Sequence, residues 1–177
     1  IAKDAKLAVS DEALELIAAA GDGSFRDAES LLDQLTSLED EVTVEAVEAT
    51  LGRAGFARTA TLAEAILKQQ LTTALTFIAT AGEEGYNITD LTRELIHYLR
   101  RALTLRADAK LGDLFKAELT DREFAQLAEH AKALDPTKTI ALIRSLIRAY
   151  SDMRYSPFAP IPLEGALIEH LGNGERK

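Results

Sequence analysis

Four times along this chain a hydroxyl or amide side chain stands three residues ahead of a carboxylate, just before an apolar stripe of helical period. The pairs are Ser24 with Asp27, Thr61 with Glu64, Asn87 with Asp90, and Thr120 with Glu123. This is the capping-box spacing: the first side chain accepts from a free N–H at the head of a helix, and the second reaches back to the N–H of the cap. Ser10, Thr43 and Asp135 add further caps, the last followed by Pro136 at the first helical position, where a missing N–H does no harm. Nowhere does an alternation of period two persist, so the fold class is all-α.

The caps divide the chain. Ser10 predicts a helix ending at Gly21, and Ser24 one running to about Leu38 along the stripe Ala28, Leu31, Leu32 and Leu35. Thr43 predicts a third, closed at Leu51-Gly52, while Val9 with Leu14 and Val42 with Val47 are placed as hydrophobic staples. Together these make a small three-helix bundle over residues 1–55. The two glycines and two arginines of residues 52–60 mark a domain boundary, and residues 56–177 read as a second helical bundle. In it, Thr61 predicts a helix that breaks near residues 68–70 and an antiparallel partner ending at Gly82. Asn87 opens a long helix through Leu91, Leu95, Leu99 and Ala102, with Arg93, His97, Arg100 and Arg101 on another face. The helix opened by Thr120 reaches Leu134. The Asp135 helix carries the stripe Ile140, Ile143, Ile147 and Tyr150, with Leu142 and Leu146 beside it and Arg144 and Arg148 on other faces. Pro157, Pro160 and Pro162 predict an extended link before a last apolar helix over residues 163–171.

Charge separates the two parts further. Residues 1–55 hold four Lys/Arg and thirteen Asp/Glu, so the whole net charge of −9 belongs to them; residues 56–177 hold sixteen of each sign. A strongly acidic surface repels phosphate backbones, so the first part is a poor DNA contact by itself. Arg26 is one of two arginines in it. As the second residue of the Ser24 helix it sits where the helix dipole is positive and a cation is disfavoured. A helix N-terminus and a guanidinium fork together suit an anion, above all a phosphate oxygen. The competing reading is a surface ion pair, for instance with Glu29.

Residues 23–28, Gly-Ser-Phe-Arg-Asp-Ala, with the Ser30-Leu31-Leu32-Asp33-Gln34 that follows, resemble the sensor-2 motif of bacterial clamp-loader ATPases, the DNA polymerase III subunit gamma/tau family. The resemblance covers nearly the whole chain, closely over residues 21–34 and loosely after Phe56. It implies an AAA+ lid over residues 1–55, incomplete at its N-terminus, and a collar domain over residues 56–177, in a fragment of a larger subunit. It also implies that Arg26 reaches the ATP phosphates held by a separate P-loop domain, with ATP and magnesium in the parent subunit and no cofactor in this fragment. The implied partners are other gamma/tau copies and the delta and delta-prime subunits, with the sliding clamp and primed DNA reached through the complex, in the cytoplasm.

The sequence lacks GxxxxGK[ST], so by this reading the fragment is inactive alone even where its parent is an ATPase within a DNA polymerase complex. His97, His130 and His170 fall on separate predicted helices with no metal-ligand spacing, no cysteine is present, and no run of eighteen apolar residues predicts a membrane span. Two alternatives stay open: a free-standing helical adaptor with no nucleotide link, and the lid and collar of another clamp-loader-like ATPase. A P-loop upstream in the parent gene would exclude the adaptor.

Overall fold

The computed structural model describes residues 8–21, 24–38, 42–50, 55–116 and 118–172. They form α1 (Asp11–Ala20), α2 (Phe25–Leu38), α3 (Val44–Thr50), α4 (Phe56–Leu67), α5 (Leu71–Glu83) and α6 (Ile88–Ala107). After a 3-10 turn (Ala109–Gly112) come α7 (Asp113–Lys116), α8 (Asp121–Ala133), α9 (Pro136–Met153) and α10 (Pro160–Leu171). The fold class is all-α. No strand forms among the described residues; Val9 and Val42 make an isolated parallel bridge.

The chain packs as two units, Ile1–Gly55 with Gly112–Phe124, and Phe56–Leu111 with Ala125–Lys177. In the first unit Ser10 Oγ accepts from Ala13 N at 3.1 Å and Thr43 Oγ1 from Ala46 N at 3.3 Å, fixing the heads of α1 and α3. Leu16 and Ile17 of α1, Leu32 and Leu35 of α2, and Val42 and Val47 around α3 bury one another, with Val9 packed against them. Each such aliphatic side chain, fully buried, contributes about 1.5–3 kcal/mol before entropy is charged against it. Leu51 and Gly52, the expected close of α3, lie outside the described residues. The Gly112–Phe124 excursion brings buried Phe115 and Leu119 to this unit, and Arg122 pairs with Glu12.

In the second unit α4 packs on α5, α5 on α10, α10 on α9, α9 on α6 and α6 on α4, so five helices close a cycle around Leu62, Ile78, Leu95, Leu99, Leu146, Leu163 and Leu167. Asn87 Oδ1 accepts from Thr89 N and Asp90 N, and Asp135 Oδ1 from Lys138 N, as their positions in the sequence require. Thr120 and Glu123 complete the reciprocal box, with Glu123 N donating to Thr120 Oγ1 at 3.2 Å and Thr120 N to Glu123 Oε2 at 2.8 Å. The Tyr98 hydroxyl of α6 lies 2.7 Å from His130 Nδ1 of α8, and the Phe56 ring stacks obliquely on Tyr98 at 5.3 Å. Burial, the larger cause, lowers the His130 pKa and raises that of Tyr98, keeping both neutral.

Three local expectations are corrected. Thr61 is not a cap: α4 begins five residues earlier, at Phe56, and Thr61 Oγ1 donates back to Ala57 O at 2.9 Å, the usual outlet for a hydroxyl inside a helix. The α10 helix starts at Pro160 rather than in the region of Leu163, because Pro160 and Pro162 both fall in its first turn, where no intrahelical N–H is needed. In α9 the buried side chains are Thr139, Leu142, Leu146, Ala149 and Met153, and the expected stripe lies outside this set, Ile143 and Tyr150 being half-buried and Ile140 41% and Ile147 49% exposed. The α4–α5 break falls where expected, at Gln69, whose φ of 59° reverses the chain.

Candidate functional site

The end of α1 and the start of α2 meet at Gly21. Its N–H donates to Ile17 O at 3.1 Å, closing α1, and its carbonyl accepts from Ser24 N at 2.7 Å, turning the chain into α2. Gly21 is required here for close approach: a Cβ would lie 2.9 Å from both Ala28 Cβ and Ser24 O. Ser24 Oγ then accepts from Asp27 N at 3.3 Å and Ser24 O from Ala28 N at 3.2 Å. The cap thus occupies the N–H groups of Asp27 and Ala28 and leaves those of Phe25 and Arg26 without an acceptor among the described residues.

Arg26 projects from this corner into solvent, with no hydrogen bond or ion pair among the described residues, so the pairing with Glu29 that competes for it is not formed. Beside it Phe25 is 73% exposed. The sequence signal for Phe25 was available but ambiguous: an aromatic three residues before Ala28 fits the buried stripe in spacing, yet at the first helical position it faces outward. An unpaired guanidinium at a dipole-positive helix end suits an anion. The described residues hold no group of three or more His, Asp or Glu able to bind a metal ion. His97 is exposed, His130 is held by Tyr98, and His170 Nε2 lies 2.8 Å from Ser145 Oγ.

The second unit has a different outer surface on each side. On α5 it includes Thr72, Thr73, Thr76 and Thr80, and at the end of α4 the ion pair of Glu64 with Lys68. On α9 it includes Ile140, Arg144, Ile147 and Arg148 beside Lys138 and Asp152, and on α10 Ile161, Gly165 and Ile168 at i, i+4 and i+7. Ordinary helices of a bundle turn charged and polar residues outward; these two expose branched aliphatics.

Family models for "DNA polymerase III subunits gamma and tau domain III" and for the "DNA polymerase III clamp loader subunit, ATPase lid domain" match residues 42–172 and 1–38. The chain belongs to the DNA polymerase III gamma and tau family. It is 29% identical over 174 residues to DNA polymerase III subunit tau of Escherichia coli and 33% identical over 174 residues to that of Salmonella typhimurium, covering 97% of this chain and 26% of each relative. The chain therefore spans about a quarter of the length of these relatives. The Bacillus subtilis DNA clamp loader delta protein shares the fold, with a TM-score of 0.60 at 15% identity over 97% of this chain and 53% of that one. The sequence ranges of the family and the packing differ at α3 and at Gly112–Phe124. Both fall within the domain III match, and both pack with the first unit. No helix among the described residues is long and apolar enough to cross a membrane.

Proposed function

We propose that this chain supplies the lid and collar of a clamp-loader ATPase subunit, with residues 1–55 as lid and 56–177 as collar. The lid senses the ATP state: Arg26 takes the γ-phosphate held by the parent's P-loop domain, and hydrolysis removes the anion it holds. ATP and magnesium belong to that domain, in keeping with the lack of a GxxxxGK[ST] motif in this sequence. The collar joins the subunit to other gamma/tau copies and to delta and delta-prime, and the assembly loads a sliding clamp onto primed DNA in the cytoplasm.

Arg26 carries the reading. It stands exposed and unpaired at a capped helix start, where it opposes its own helix dipole. Its removal should therefore change folding by less than about 0.5 kcal/mol, whereas a lost charge-assisted contact to phosphate costs about 1.5–3 kcal/mol. In the subunit that joins this chain to its ATPase domain, Arg26→Ala is expected to lower ATP-dependent clamp loading by roughly ten- to a hundred-fold with an unchanged melting temperature. Parallel losses in both would return Arg26 to a structural role.

For assembly, the support is the exposed aliphatic surface of α9 and α10. Sedimentation equilibrium should show self-association by about 100 μM, where an interface of roughly 5.5 kcal/mol is half formed. A strict monomer at that concentration would leave collar assembly to unlike subunits.

A further inference from the structure

We infer that the outward face of α9 docks on α2 of a second copy of this chain. The inference rests on the assembly reading above and names the surface that meets α9.

On α9, Ile140, Arg144 and Arg148 stand at i, i+4 and i+8 on the side away from the buried Leu142, Leu146 and Ala149. On α2, Phe25, Glu29 and Asp33 stand at the same three spacings, away from the buried Leu32 and Leu35. All six side chains are exposed, and none of the four charges has an ion pair among the described residues. Laid alongside in the same direction, the two rows bring Phe25 to Ile140, Glu29 to Arg144 and Asp33 to Arg148: one apolar contact and two opposite-charge contacts, in the same order. Rows at i±4 are the ridges that align when helices cross at about −50°, the commonest packing class in globular proteins. Ile147, one turn from Arg144 on the same face, extends the apolar part.

Charge selects a protein partner over a nucleic acid. Phosphate backbones would satisfy Arg144 and Arg148 but leave Ile140 and Ile147 in water, while Phe25 beside the acids answers both. The first part of the chain carries the whole net charge of −9 and offers the opposite sign. Arg26 is about 100° around the helix from Phe25, so the contact leaves it available for phosphate. The α9–α2 contact is either made twice about a two-fold axis, closing a dimer, or made once and passed on to further copies.

The test is a charge swap in the 177-residue chain, followed by sedimentation equilibrium. Arg144→Glu/Arg148→Glu and Glu29→Arg/Asp33→Arg should each weaken self-association at least about ten-fold alone, since like charges then face one another. An equimolar mixture should recover it, because each variant then meets the opposite charge on both of its surfaces. Recovery also shows that both variants are folded. Raising the salt should weaken wild-type association. Association that survives both swaps, or that is lost and does not return on mixing, overturns the inference while leaving the assembly reading in place. A wild-type chain that stays monomeric at about 100 μM removes the homotypic part of that reading and this contact with it. If Arg144→Glu/Arg148→Glu instead abolishes binding of a labelled single-stranded oligonucleotide with association intact, α9 is a nucleic-acid surface and the docking is refuted.

Discussion

Replacing Gly21 by alanine adds one carbon to a space that α2 already fills. Two effects oppose each other. At φ −70° and ψ −8° the backbone is comfortable for alanine, and the smaller freedom of the unfolded chain would by itself stabilise by about 0.4–1 kcal/mol. Against this, the new Cβ meets Ala28 Cβ and Ser24 O at 2.9 Å and Ala28 N at 3.2 Å, where carbon atoms normally rest at about 3.5–4 Å. Two of those three atoms are backbone and cannot swing aside, so the overpacking cost of about 1–3 kcal/mol wins. The expected result is a net loss of about 1 kcal/mol from the first unit, or roughly 4–8 °C for a unit of this size. The chain's four tyrosines all lie at Tyr86 or beyond and there is no tryptophan, so fluorescence would report the second unit. Amide hydrogen exchange over α1 and α2 is the suitable assay. Gly82→Ala is the control: nothing lies within 4 Å of that Cβ, and the change should stabilise α5 by about 0.4–1 kcal/mol. Greater protection of α1 and α2 in Gly21→Ala would refute the steric argument.

Two further outcomes follow from the second unit. Thr59 is 2% exposed and its hydroxyl has no partner among the described residues; Thr59→Val should raise stability by about 1 kcal/mol, and a loss in urea unfolding would mean that the hydroxyl is satisfied. His130 is held below its ordinary pKa chiefly by burial, so the unfolded chain takes up the proton first; stability should hold above about pH 6.5 and fall as pH drops through the lowered folded value. Tyr98 is raised by burial, so its share is lost in the other direction, as pH rises past about 10. Urea unfolding followed by tyrosine fluorescence at pH 7.5 and 5.5 checks the acid arm, and an identical pH slope in His130→Gln would rule His130 out as its source.

Helix starts were the legible part of this fold, because a cap is a local bond between residues three apart: Ser10, Ser24, Thr43, Asn87, Thr120 and Asp135 all accept as their spacing predicts. The same pattern misleads at Thr61, since a hydroxyl and a carboxylate three apart are equally at home inside a helix, where Thr61 bonds to Ala57 O instead. The buried side of α9 was illegible for another reason. Isoleucines at 140, 143 and 147 and leucines at 142 and 146 both recur at helical spacing, and a helix apolar around most of its girth has a period but no phase. Contacts with α6 and α10 choose the leucines. For the candidate site, Gly21, Ser24 and Arg26 form a local turn and could be read directly. Which surface meets Phe25 depends on tertiary or quaternary neighbours, to which a single sequence gives no local clue.

The excursion of Gly112–Phe124 into the first unit also bears on how the chain is made. The polypeptide passes between the units three times, after residues 55, 111 and 124. A ribosome delivering residues in order therefore cannot finish the first unit when Gly55 emerges; it must wait for Phe124, at about 5–20 residues per second a delay of roughly 3–14 s. During that interval α1 to α3 stand without Phe115 and Leu119, while α4, α5 and α6 emerge. The N-terminal unit starts first and closes late, and its completion is tied to a length of chain that also threads the second unit.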